Sequence, residues 1–93
     1  YTVWGGANDL FAVAAGAPAA TTIGAAVTSQ ITAIGTLQGA GARYVLVPSI
    51  PDLGLTPAAR AQGPTAQAQL TAIATSYNTA LYSGLASAGL RVI

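Results

Sequence analysis

The sequence predicts an α/β fold, a three-layer βαβαβ unit in which helices cover a sheet of parallel strands. Three observations carry that expectation. Short runs rich in β-formers lie at residues 1–4 (YTVW), 43–48 (RYVLVP) and 90–93 (LRVI); two long stretches between them repeat apolar residues at helical spacing; and turn-forming residues mark the junctions. Strand, helix, strand, helix, strand in that order implies parallel strands joined by right-handed crossovers.

The first run reads as a buried strand that leads into two glycines, an Asn-Asp pair and the start of something helical. Residues 12–20 (AVAAGAPAA) are biased enough in composition to form a mobile loop or a loosely packed helical turn. Beyond them, Ile23, Val27, Ile31, Ile34 and Leu37 recur at spacings of four, four, three and three, which places them on one face of a helix. Thr21 or Thr22 suits its start, and Gly39 and Gly41 suit its end. The second strand is followed by a long connection, 49–63 (SIPDLGLTPAARAQG), with two prolines, two glycines, and Asp52 and Arg60 as a possible pair across the loop. A second amphipathic helix carries Leu70, Ile73, Tyr77, Leu81 and Leu85 on one face, with Pro64 near its beginning and Gly89 just past its end. Trp4 and Tyr44 are expected to pack in the core or at a sheet edge, and Tyr77 and Tyr82 to be core or half-exposed. Both long connections leave the carboxyl ends of strands, where open parallel sheets bind ligands.

Composition removes several classes of function. The 93 residues make a single domain or part of one, and 53% of them are hydrophobic, ample for a core. Asp9, Asp52, Arg43, Arg60 and Arg91 are the only charged side chains, and a net charge of +1 provides neither a basic stripe for nucleic acid nor a polybasic patch for a membrane. Without cysteine or histidine, a disulfide framework, a thiolate nucleophile and a thiolate metal site are excluded, and neither metal nor cofactor is expected. The apolar stretches break before the roughly 18 residues that a membrane span needs, and no signal peptide is visible.

The Gly-Gly turn after the first strand is not a nucleotide loop: no G-x-G-x-x-G follows Trp4, and a chain without lysine has no P-loop. Gly39-Ala40-Gly41 precedes a strand and reads as helix termination. What remains is Gly6-Ala7-Asn8-Asp9. Short polar side chains at this point accept hydrogen bonds from free backbone N–H groups, so Asn8 or Asp9 is a candidate helix cap as well as a candidate site residue.

Gly6-Ala7-Asn8-Asp9 resembles the G-x-N-D block of the GDSL, or SGNH, serine esterases and lipases, and its place after a strand fits. The run 47–57 (VPSIPDLGLTP) is similar to the segment after the next strand in members carried as passengers of outer-membrane autotransporters. The resemblance implies the flavodoxin-like fold of SGNH hydrolases. It implies that Asn8 donates a side-chain N–H to the oxyanion of the tetrahedral intermediate, that Gly6 lets the oxyanion loop turn sharply and leaves room for substrate, and that Asp9 supports the loop or caps the helix. Trp4, Leu10 and Phe11 become candidates for lining a substrate pocket, with Leu10 and Phe11 equally suited to burying the start of the helix. A neutral amide suits the oxyanion role because it does not titrate and is easily preorganised in a dry site.

The departures are equally definite. There is no Gly-Asp-Ser stretch and no histidine, so a Ser-His-Asp triad cannot be assembled from these residues. The serines at 29, 49, 76, 83 and 87 read as surface or loop residues. The chain is therefore expected to be an internal fragment, one partial α/β domain over residues 1–93, inactive alone. Its parent is expected to be a serine hydrolase of carboxylic esters or lipids, exported to a bacterial cell surface, the outer membrane or the medium. The alternative is a noncatalytic α/β binding or structural module in which Asn8 and Asp9 only cap a helix. The expected partners are an ester or lipid substrate in the parent, and either the rest of the parent chain or a second copy paired along an exposed sheet edge. The natural ester and its acyl length are not legible.

Overall fold

A computed structural model describes all residues, 1–93, and 67% of them are helical. The order is α1 (Ala7–Ala14), α2 (Ala19–Gly39), a short 3-10 turn (Leu53–Leu55), α3 (Pro57–Gln62) and α4 (Pro64–Ser87). There are four helices and no strands, which overturns the expected three-layer α/β sheet. The three β-rich runs are extended and lie side by side, but they form a single parallel bridge, Thr2 with Leu46. Val3 N–H donates to Leu46 O at 2.9 Å, Leu46 N–H to Tyr1 O at 2.8 Å, and Ile93 N–H to Val45 O at 2.9 Å.

The reason the ladder stops is visible in its peptide groups. Gly5 O accepts from the Tyr77 hydroxyl, Val47 O from the Tyr82 hydroxyl, Ser49 O from the Trp4 indole N–H and Arg91 O from the Gln38 carboxamide. Leu90 N–H turns back to Leu85 O at the end of α4. Groups that would lengthen a sheet are thus satisfied by side chains and by a helix terminus.

The helices follow their sequence signals more closely. In α4, Leu70, Ile73, Tyr77, Leu81 and Leu85 are all buried, Pro64 occupies the first turn, and Gly89 follows the helix at φ 72°. In α2, Val27 and Ile34 are buried, and Ile23 and Ile31 pack partly buried against the core. It begins earlier than expected: Pro18 stands at the N-cap, so neither Thr21 nor Thr22 caps it. The stretch 12–20 is neither loop nor loose turn throughout, because its first residues finish α1 and its last ones open α2. The connection 49–63 is likewise structured. Asp52 Oδ1 caps the 3-10 turn by accepting from Gly54 N–H at 2.9 Å and also accepts from Thr71 Oγ1 at 2.6 Å, partners other than the expected Arg60. Thr56 caps α3 through Ala59 N–H.

Helix α4 is the hub, packing against α1, α2, α3 and the 3-10 turn, while α1 also lies on α2. The core joins these helices to Val45, Val47 and Ile50. Tyr44 and Leu46 alternate with the two buried valines and face outward, which corrects the expected packing of Tyr44. No helix is long and apolar enough to cross a membrane.

Candidate functional site

Gly6 opens α1 from the N-cap position at φ 112°, a conformation that side chains rarely adopt. The ring of Tyr77 also presses on it: a Cβ at Gly6 would lie 2.6 Å from both Cζ and the hydroxyl oxygen of that tyrosine. The space left by the missing side chain, expected to leave room for substrate, is filled by Tyr77. Leu10 and Val13 bury the inner face of α1 and so fix its direction.

Asn8 and Asp9 therefore stand in the first turn of α1, both exposed, and neither supplies a capping hydrogen bond. The Asn8 carboxamide makes no bond to the rest of the chain and is free to donate outward. It lies where the unpaired N–H groups of a helix start make the local potential positive. The Asp9 carboxylate sits favourably in the same field. Burial, followed by the charge of Asp9 and then by Tyr82, pushes the Tyr77 hydroxyl above the usual tyrosine range.

Beside this turn is an almost wholly apolar groove of about 290 Å³, lined by Trp4, Gly5, Ala7, Ile50, Pro51 and Leu53. Its two walls come from the chain after the first extended run and the chain after the second. Both are clamped. Tyr77 Oη donates to Gly5 O at 2.9 Å, and the Asn78 carboxamide brackets Ile50, accepting from its N–H at 2.8 Å and donating to its carbonyl at 2.9 Å. Trp4 Nε1 donates to Ser49 O at 3.1 Å, which ties one wall to the other. Gln30 backs Gly5 from α2, and its Oε1 is buried without a partner.

Of the pocket candidates, only Trp4 lines this groove, and it does so while 62% exposed, not from the core or a sheet edge as expected. Leu10 is fully buried and cannot line a pocket, because its position on the inner face of α1 delivers it to the core. Phe11 faces a separate hollow of about 220 Å³ with Ala58, Ala59, Gln62 and Leu70. The sequence reading missed Asn78 altogether and saw Tyr77 only as packing. Their signals are modest: an asparagine deep in a helix, beside a tyrosine whose hydroxyl needs a partner once it is buried. No group of side chains here is suited to hold a metal ion. No family model, curated protein or solved structure matches the chain.

Proposed function

We propose that this chain is the oxyanion-donor part of a carboxylic ester hydrolase of the GDSL, or SGNH, type, with Asn8 as the donor. The observation that carries this reading is the exposed Asn8 carboxamide, unbonded within the chain, at a clamped turn beside an apolar groove. An oxyanion donor must keep its N–H unspent and sit on a backbone fixed before charge develops; the Asn8 side-chain N–H is unspent, and the backbone immediately before Gly6 is anchored where Tyr77 Oη donates to Gly5 O. The nucleophilic serine and the histidine base come from outside these 93 residues, since the chain has no histidine and no Gly-Asp-Ser stretch. Export to a cell surface belongs to the same proposal and rests on the resemblance to autotransporter passengers. The competing reading, a noncatalytic module in which Asn8 and Asp9 serve as caps, is weakened by the absence of any side-chain cap on α1.

The test is Asn8→Ala in the intact esterase. Loss of one preformed donor lowers kcat by about 100- to 1000-fold with little change in KM or melting temperature. A variant that melts several degrees lower with kcat intact would establish a structural role instead. The chain by itself turns over no activated aryl ester; turnover that disappears with Asn8→Ala would show that the catalytic residues lie within it.

A further inference from the structure

The turn that carries Asn8 is built around the residue type least able to hold a conformation by itself. Gly6 has no side chain and sits at φ 112°, so nothing in its own chemistry keeps the backbone from relaxing. What holds it comes from α4. The Tyr77 hydroxyl donates to Gly5 O at 2.9 Å, and the ring fills the space of the missing Gly6 side chain, where a Cβ would lie 2.6 Å from Cζ. Gln30 of α2 stands against the preceding residue, since a Cβ on Gly5 would lie 2.8 Å from its Nε2. Tyr77 is itself fully buried in a 24-residue helix, so its rotamer is locked by packing and the anchor belongs to the frame of the molecule.

From Gly6 the constraint reaches Asn8 within one helical turn. Gly6 O accepts from the N–H of Leu10 at 3.1 Å, and Leu10 is fully buried. Asn8 lies between these two fixed points, so its carboxamide is placed through the backbone, and the free end of that backbone is the part Tyr77 holds. We propose that Tyr77, backed by Gln30, is the positioning residue of the Asn8 donor: it touches no reacting atom and acts by fixing the Gly5–Gly6 turn before charge develops. The assignment rests on the ester-hydrolase reading for the reaction that Asn8 serves. It also separates Tyr77 from Tyr82. The Tyr82 hydroxyl makes the same kind of bond from the same helix, but to Val47 O on the second extended run and not to the donor turn.

A double-mutant cycle in the intact esterase tests this. Tyr77→Phe keeps the ring and is expected to lower kcat by up to roughly 100-fold with little change in KM, whereas Tyr82→Phe leaves kcat unchanged. In the Asn8→Ala background, Tyr77→Phe should lower kcat no further, because no donor remains to be positioned. Losses that multiply in that background, or an equal fall in kcat for Tyr82→Phe, would make Tyr77 a general stabiliser and overturn the proposal. If Tyr77→Phe does not fold, Gln30→Ala takes its place in the cycle and is judged by the same non-additivity. A second readout needs no turnover. On the 93-residue chain, Tyr77→Phe should speed hydrogen exchange at the Leu10 amide by about 2- to 10-fold over Tyr82→Phe; equal exchange would show that α1 is fixed without Tyr77. Should Asn8→Ala leave kcat intact, the hydrolase reading falls, and exchange alone decides whether Tyr77 fixes the turn. A damaging Asn8→Ala beside a silent Tyr77→Phe would sink the positioning role alone.

Discussion

Tyr77 is the residue on which the candidate site turns. Its ring lies against Gly6, its hydroxyl holds Gly5 O, and it is fully buried. Tyr77→Phe keeps the ring and deletes one hydrogen bond, a loss of about 0.5–1.5 kcal/mol in urea denaturation at neutral pH. The loss depends on pH. Because the folded chain raises the Tyr77 pKa, the folded state keeps a proton that the unfolded state releases near pH ~10. This group's contribution is complete below that pH and disappears as pH rises through the folded value. The advantage of wild type over Tyr77→Phe should accordingly shrink above pH ~10; curves that stay parallel there would contradict a raised pKa. Gly6 is the matching constraint on the other side of the contact. Gly6→Ala adds about 1–3 kcal/mol of backbone strain and drives a methyl group into the Tyr77 ring. The urea midpoint should fall clearly, whereas Gly39→Ala, with open space around it, should not show such a fall.

At the scale of elements, α2 and α4 are long helices that carry glycines for different reasons. A Cβ on Gly84 of α4 would meet Ile31 Cδ1 at 2.5 Å, so that glycine lets α2 approach. Gly24 of α2 has nothing within 4 Å of such a Cβ. It therefore carries the entropic cost of glycine in a helix with no packing benefit. Gly24→Ala is expected to stabilise the chain by about 0.5–1 kcal/mol, seen as a rise in Tm of roughly 2–8 °C. A fall in Tm would mean that α2 bends or packs at Gly24 in a way its surroundings do not suggest. The shorter elements depend on caps. Thr56 and Asp52 hold α3 and the 3-10 turn through side-chain acceptors, and Asp52 is itself tied to Thr71 of α4.

The whole molecule is elongated, with extents of 45 × 22 × 17 Å and a radius of gyration of 14.0 Å, against about 12 Å for a compact chain of this length. Its extended runs present apolar side chains outward: Tyr44 is 72% exposed, Ile93 69% and Leu46 41%. Five charged side chains offer little repulsion against association through such a surface. We expect sedimentation at micromolar concentration to show concentration-dependent self-association, relieved by Tyr44→Asp together with Leu46→Lys. The association was to be expected along a sheet edge, but with no sheet the relevant surface is this face. A concentration-independent monomer would show that the face is tolerated in water.

Local patterns were sufficient for the parts that depend on neighbours in sequence. The α4 stripe from Leu70 to Leu85, with Pro64 at one end and Gly89 at the other, was legible because helical period and termination are settled within a turn or two. The sharp turn at Gly6 was legible for the same reason. Whether 1–4, 43–48 and 90–93 became strands was a different kind of question. Their β-forming residues specify an extended backbone, but a sheet requires partners for successive peptide groups, and those groups met Tyr77, Tyr82, Gln38 and the end of α4 instead. The exposure of Trp4, the burial of Leu10 and the clamping of Ile50 by Asn78 were equally decided in three dimensions. The sequence by itself determined the helical stripes of α2 and α4, the end of α4 at Gly89 and which residue types are available for chemistry. Only the tertiary structure decided which of them meet, because burial and hydrogen-bond partnership depend on segments dozens of residues apart that local periodicity does not register.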